Sequence, residues 1–347
     1  MSKIAIVGDL HFGKKNNNEK LLESQIKWFN DSFFPTMRKE KCDTVVFLGD
    51  IFDNRVSLSP LILKHVREIF NSCCSMFSTH VVVGNHDCFY RNTNDVNSLG
   101  VLADQGAHVY PDITELELFG KDCLILPWLT KDTLTKAESI LAKNNYDLCF
   151  GHLEINGFEM AKNHIATNGM TQDTFFNCQK VYSGHFHIRN VDGQIKYVGT
   201  PYELDWGDYL EEKGFTILDT DTMEEKYFLN DVSPKHMKLK SEELDIDDLT
   251  PELVRDNYIE IEFHEGISQT DRIIITEKLE ALSPSSLRTK EEKLHSMDSE
   301  DSLEIDDTVK NSLDALFNYT KLIGCPDGLE ENKTLSIIKE IYEKCEH

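Results

Sequence analysis

The chain has 347 residues, 40% of them hydrophobic, and its 36 Lys and Arg against 61 Asp and Glu leave a net charge of −25. No run approaches the roughly 18 consecutive apolar residues of a membrane helix, and no basic segment with an apolar stretch opens the sequence, so a soluble, cytoplasmic protein without a membrane partner is expected. Such acidity argues against a protein that coats nucleic acid by phosphate neutralisation alone.

The apolar run at 4–7 stops at Gly8-Asp9-Leu10-His11 and reads as a buried strand with polar residues at its carboxyl end. Leu22, Ile26, Phe29 and Phe33 predict a helix over 19–39, and the run at 45–48 predicts a second strand ending at Gly49-Asp50. Leu61, Leu63, Val66, Ile69 and Phe70 predict a helix over 60–71, followed by a strand at 81–83 that stops at Gly84-Asn85-His86-Asp87. This alternation implies a parallel sheet with right-handed crossovers, whose carboxyl edge is where ligands gather. The next part is richer in strands, at 116–119, 123–127, 147–150, 180–183, 195–198, 214–219 and 225–229, the last two forming a hairpin. Two of these strands stop at Gly151-His152 and Gly184-His185-Phe186-His187.

The character changes after about residue 230. A strand at 258–264, a helix at 269–282 and a strand at 286–290 suggest a small cap domain over 233–290, beside a core over 1–232. Residues 291–307 hold eight acids and one Lys and read as a flexible, solvated linker. Residues 308–347 carry Val309, Leu313, Leu316 and Phe317, then Leu335, Ile338, Ile341 and Tyr342, which predict a helical tail. Its apolar faces call for a partner surface, and folding back on the core or homodimer pairing stay open. The nine cysteines show no Cys-x-x-Cys spacing and read as free, mostly buried thiols.

Five strand ends thus carry an acid, amide or imidazole after a glycine. A single such end is more often a turn than a ligand. Their joint order is what points to chemistry. Asp9, His11, Asp50, Asn85, His152, His185 and His187 offer oxygen and imidazole nitrogen but no thiolate, which suits manganese, magnesium, iron or zinc in a reactive site. Seven donors are too many for one ion. Two ions about 3.5–4 Å apart, sharing one carboxylate, would use them all and would clamp the attacking and leaving oxygens of a phosphoryl displacement. Phosphoester hydrolysis is therefore the expected reaction. Trp128, Tyr202 and Trp206 read as packing near the cleft, with stacking on a base as the lesser reading.

At these residues the sequence resembles the calcineurin-like metallophosphoesterase superfamily. Gly-Asp-Leu-His-Phe-Gly, Gly-Asp-Ile-Phe-Asp, Gly-Asn-His-Asp, Gly-His-Leu-Glu-Ile-Asn-Gly, Gly-His-Phe-His and Tyr-Val-Gly-Thr-Pro resemble SbcD-type DNA double-strand-break repair nucleases, most of all the recombination nuclease subunit of tailed phages. The resemblance covers roughly the first 220 residues, as ordered multi-block motifs. It implies an α/β fold, a two-sheet sandwich flanked by helices, with the cap steering DNA over the cleft. It further implies one metal on Asp9, His11, Asp50 and His187 and another on Asp50, Asn85, His152 and His185. His86 would act on the scissile phosphate without binding metal, and Asp53 would orient it, a helix N-cap being an equal alternative for Asp53. The implied function is a two-metal DNA exonuclease and single-strand endonuclease, with manganese or magnesium. Its implied partners are DNA, an SbcC-type SMC-like ATPase bound by the tail, and a second copy of the chain. A phosphomonoesterase or protein phosphatase is the alternative, against which the Gly-Asn-His-Asp and Gly-Thr-Pro blocks argue.

Overall fold

Short runs of Ile, Val and Phe fit a pleated surface covered on both faces, and they form the centre of the structure. The computed structural model describes residues 2–162 and 164–291; the expected linker beyond Glu291 and the tail over 308–347 lie outside the described residues. Strands β1 (Lys3–Val7), β2 (Thr44–Phe47), β3 (Ser78–Val82) and β4 (His108–Tyr110) run parallel, with Ile4 beside Thr44 and Thr44 beside Ser78. A second sheet holds β5 (Thr114–Leu118), β6 (Lys121–Leu126), β7 (Tyr146–His152), β10 (Cys178–Gly184), β11 (Asn190–Asp192) and β12 (Ile195–Tyr197), in the order β11-β12-β10-β7-β6-β5. Between β7 and β10 lies a small antiparallel pair, β8 (Glu159–Ala161) and β9 (His164–Ile165). The predicted hairpin, β13 (Gly214–Asp219) and β14 (Glu225–Leu229), returns to the first sheet, where β13 pairs antiparallel with β1.

The sheets pack face to face through Ile4, Ile6, Val46, Leu48 and Val82 on one side and Ile125, Leu148, Phe150 and Tyr182 on the other, all buried. Helices cover the outer faces. Trp28, Phe29, Phe33 and Phe34 and the helix Pro60–Met76 close the first sheet, and Ala137 and Leu141 of the helix Lys131–Lys143 lie on the second. The expected α/β sandwich is the observed one.

Local details differ. The single helix expected over 19–39 is two α-helical pieces, Glu19–Trp28 and Phe34–Glu40, joined by a π-helical turn at Phe29–Phe33. The wider turn lets the adjacent pairs Trp28-Phe29 and Phe33-Phe34 all reach the core, which a regular 3.6-residue period would not. The helix expected over 60–71 continues to Met76. The helix Lys131–Lys143 was not expected from the sequence, although Thr130 and Thr133 form a capping box at its start.

In the last part of the described chain, β16 (Tyr258–Phe263), the helix Gln269–Ala281 and β17 (Ser286–Glu291) form the expected strand-helix-strand unit. A third strand, β15 (His236–Lys240), joins β16 in parallel. Buried His236 ties this sheet to the core, since its backbone N–H lies 2.6 Å and its Nδ1 2.9 Å from Glu203 Oε2. Among the described residues all seven cysteines are free, and no helix is long and apolar enough to cross a membrane.

Candidate metal centre

Parallel strands present their last residues at one edge, so β1, β2 and β3 deliver Asp9, Asp50 and Asn85 together, while β7 ends on His152 itself and β10 leads into His185. The glycines make room for this. A Cβ on Gly84 would stand 2.2 Å from Asp50 Oδ1, and one on Gly184 2.5 Å from both Asp9 Oδ1 and the Leu48 carbonyl. Three of the seven expected donors, His11, Asp50 and His185, have positive φ of 47°, 48° and 89°. Such backbone costs about 1–3 kcal/mol per residue and persists where the surroundings over-determine it, as at functional sites.

All seven donors come together. His11 Nε2 lies 3.0 Å from His187 Nε2, and His187 Nε2 3.9 Å from Asp9 Oδ2. On the other side, Asn85 Oδ1 lies 2.8 Å from His152 Nε2 and 3.2 Å from His185 Nδ1. Asp50 stands between, its Oδ2 3.4 Å from His152 Nε2 and 3.7 Å from His11 Nε2. Asp9-His11-His187 and Asp50-His152-His185 are accordingly two groups that could hold a metal ion. An ion with donors about 2.1 Å away at right angles would separate them by about 3 Å, so these spacings fit divalent cations.

Burial sets the charge state. Asp9, His11, Asp50 and His152 are almost wholly buried. Burial raises Asp9 to about 6 against the pull of His152. Asp50 is buried as deeply, yet His152, His11 and His86 outweigh that and hold its carboxyl well below the usual range. Burial opposes charge on His152 too, but Asp50 and Asp9 raise it to about 9. His185 and His187 fall to about 3 through burial, then through the cationic neighbours His152 and His11 respectively, which leaves neutral imidazoles suited to ligation. In the metal-free cup the two carboxylates are thus balanced by protonated His152 and His11, whose protons a bound cation would replace.

His86 stands at the rim, its ring 4.9 Å from that of His11 and its backbone N–H donating to Asp50 Oδ1 at 2.8 Å. Its Nδ1 faces the backbone carbonyl of Asp53 at 2.7 Å. The Asp53 carboxylate turns elsewhere, to His11 Nδ1 at 3.2 Å and Lys14 Nζ at 3.3 Å. Any hold of Asp53 on His86 therefore runs through its main chain. The N-cap of the helix Pro60–Met76 is Ser59, so Asp53 does not cap it. Asp53 Oδ1 thus lies between the His11 ring and the Lys14 ammonium, which against burial keep its carboxyl below the usual range.

Sequence reasoning left Asp87 without a role. Its buried carboxylate takes the backbone N–H groups of Ile51 (3.0 Å), Phe52 (3.2 Å) and Gly84 (3.0 Å), stapling the Asp50 loop to the Asn85 loop. Only its place in Gly-Asn-His-Asp hinted at this. Trp128 packs on His185 with ring centres 5.0 Å apart, and the Tyr202 hydroxyl donates to the Leu10 carbonyl at 2.8 Å, so both brace the cup.

The profile of the Calcineurin-like phosphoesterase family matches residues 2–189, the span that carries all seven donors. The chain belongs to this family. Exonuclease subunit 1 of Enterobacteria phage T4 is 30% identical over 236 residues, covering 67% of this chain and 68% of that protein. The D subunit of the nuclease SbcCD of Staphylococcus saprophyticus is 24% identical over 247 residues, 62% of this chain and 65% of that protein. Its namesake in Staphylococcus epidermidis is 25% identical over 249 residues, 62% of this chain and 66% of that protein. Calcineurin-like phosphoesterases are metal-dependent hydrolases that use divalent cations, and this one could hold them at Asp9-His11-His187, at Asp50-His152-His185 or, at the rim, at His11-Asp53-His86.

Proposed function

We propose that this phosphoesterase is a two-metal DNA nuclease subunit that degrades duplex from its ends and cuts within single strands. The observation that carries the reading is the pair of donor groups that meet at one Asp50 oxygen. Relatives named as exonuclease and nuclease subunits support a phosphodiester in DNA as the substrate.

In this reading Asp9, His11, Asp50 and His187 hold one ion, and Asp50, Asn85, His152 and His185 the other. Oxygen and nitrogen donors without thiolate favour manganese, with magnesium as the alternative. Two such ions, when bound, neutralise the phosphate, activate water and stabilise the leaving oxygen. The protein's own part is to hold donors and acid in place. His86 donates Nδ1–H to the Asp53 carbonyl, which leaves Nε2 free to face the scissile phosphate; only the imidazolium form would carry the Nε2 proton that passes to the leaving oxygen, and the ring would end neutral. Trp128 covers one side of the imidazoles of His152 and His185, its ring centre 6.1 and 5.0 Å from theirs.

Purified chain with manganese or magnesium should be assayed on end-labelled duplex, single-stranded DNA and p-nitrophenyl phosphate side by side. Cleavage of DNA with little release of p-nitrophenol is expected. Faster turnover of the phosphomonoester than of either DNA would overturn the nuclease reading in favour of a phosphatase.

The name SbcCD, carried by two of the relatives, supports a second subunit, which we read as an SMC-like ATPase of the SbcC type; that the chain pairs as a homodimer inside the complex is part of the same proposal. The net charge of −25 agrees with a nuclease that draws DNA affinity from its partner. The proposed contact is the tail over 308–347. Its deletion should preserve hydrolysis of a small phosphodiester and abolish copurification with the ATPase; copurification of the truncated chain would move the interface elsewhere.

A further inference from the structure

His187 is one of three half-buried donors of the cup, with Asn85 and His185. It lies three residues beyond the end of β10, outside regular structure, and its side chain is 29% exposed where those of Asp9, His11, Asp50 and His152 are at most 2% exposed. Something else has to hold it. Its backbone carbonyl accepts two hydrogen bonds, from Thr200 N at 3.1 Å and from Lys213 Nζ at 2.9 Å. Lys213 stands just before β13, and its ammonium is also bound to Asp208 Oδ1 at 2.6 Å. The other Asp208 oxygen takes the backbone N–H of Leu204 at 2.7 Å and of Asp205 at 3.2 Å. Lysine and aspartate side chains are only 5% and 6% exposed.

A buried ion pair is a weak source of stability, because desolvation consumes most of its Coulomb gain. A buried ammonium beside a cation site is also electrostatically adverse unless its charge is cancelled, which Asp208 does. The reach of the lysine to one particular carbonyl gives the pair a purpose. We propose that Lys213 is a positioning residue for the first metal, fixing the main chain of His187 so that its Nε2 meets Asp9 and His11, while Asp208 neutralises the lysine and closes the 204–208 turn. The proposal rests on the two-metal reading. Partners of this indirect kind change metal affinity by about 10- to 100-fold when removed.

Lys213→Met alone would strand the Asp208 charge, so the informative protein is Asp208→Asn/Lys213→Met, which removes both charges and keeps an oxygen for Leu204 and Asp205. Urea unfolding in chelator, manganese titration by calorimetry and electron paramagnetic resonance should be run on the full chain. Metal-free stability near wild type is expected, with one manganese affinity weakened about 10- to 100-fold, the other unchanged, and the spectrum of paired ions replaced by that of isolated ones. Two ions bound with wild-type affinities in the double variant would overturn the positioning role. Equal weakening of both ions in proportion to lost stability would make the pair merely structural. A wild-type protein that binds a single ion would instead overturn the two-metal reading itself.

Discussion

Replacing Asp50 with Ala should release both metal ions together. The carboxylate faces both donor groups, with Oδ2 3.4 Å from His152 Nε2 and 3.7 Å from His11 Nε2. Without it, the group of Asp9, His11 and His187 keeps one carboxylate, whereas Asn85, His152 and His185 keep none. Loss of an outer partner weakens metal binding by about 10- to 100-fold, so loss of a direct, charged ligand should exceed 100-fold, or about 3 kcal/mol for each ion. The group left with neutral donors should suffer more. The metal-free fold is weakened as well, because the His86 N–H is orphaned at about 1–3 kcal/mol and buried His152 loses the carboxylate that holds it charged, while removal of the charge beside buried Asp9 offsets part of this. Metal content after dialysis against manganese, read by mass spectrometry, gives the answer with His187→Ala as the comparison. Near-complete loss is expected for Asp50→Ala and loss of about one ion for His187→Ala. Two tightly held ions in Asp50→Ala would refute the shared carboxylate, and loss of only one would assign Asp50 to a single site.

His86→Gln should keep the metal content and slow DNA cleavage by about 10²- to 10⁴-fold, the usual share of a positioned acid; near-normal turnover in single-turnover kinetics would remove His86 from the mechanism. In Gly184→Ala the added methyl must displace both the Asp9 carboxylate and the Leu48 carbonyl, so a folded protein with impaired manganese binding is expected by circular dichroism and calorimetry. Unchanged binding there would show that the cup yields easily. His80 gives a pH test far from the cup, since burial and then His108 lower it from 6.5 to about 4. The unfolded chain binds the proton more readily, so this stabilisation is whole above about 6.5 and fades as the pH falls towards 4. Between pH 7 and pH 5 the loss is about 2 kcal/mol. In urea unfolding of the metal-free protein, His80→Phe, which keeps an aromatic ring against His108 and Tyr110, should lose about 2 kcal/mol less than wild type over this interval, the lowered His185 and His187 giving both proteins a further loss of the same sign. Parallel curves would exclude His80 as the source.

The strands and the donors were legible because both are local signals. A run such as Ile4-Ala5-Ile6-Val7 favours a buried strand wherever it lies, and a glycine followed by Asp, Asn or His marks its polar end. Five such ends already named the seven donors and implied an edge on which they could meet. Aromatic crowding was read less well: the π-turn at Phe29–Phe33 serves a core that the period of one helix cannot report. Strand β15 escaped notice because its five residues hold only two apolar side chains, Met237 and Leu239, and its pairing with β16 supplies what so short a run lacks.

Contacts between distant segments only the tertiary structure could decide. His11 meets His187 across 176 positions of sequence, and nothing local says which imidazole faces which. The turn of the Asp53 carboxylate towards His11, the three N–H groups gathered by Asp87 and the reach of Lys213 to the His187 carbonyl are of the same kind. The sequence by itself determined which atoms can bind a cation, because donor chemistry belongs to the side chain. Their division into two groups about Asp50 belongs to the fold, because separations of about 3 Å arise only when two sheets bury their common core and force five strand ends to one edge.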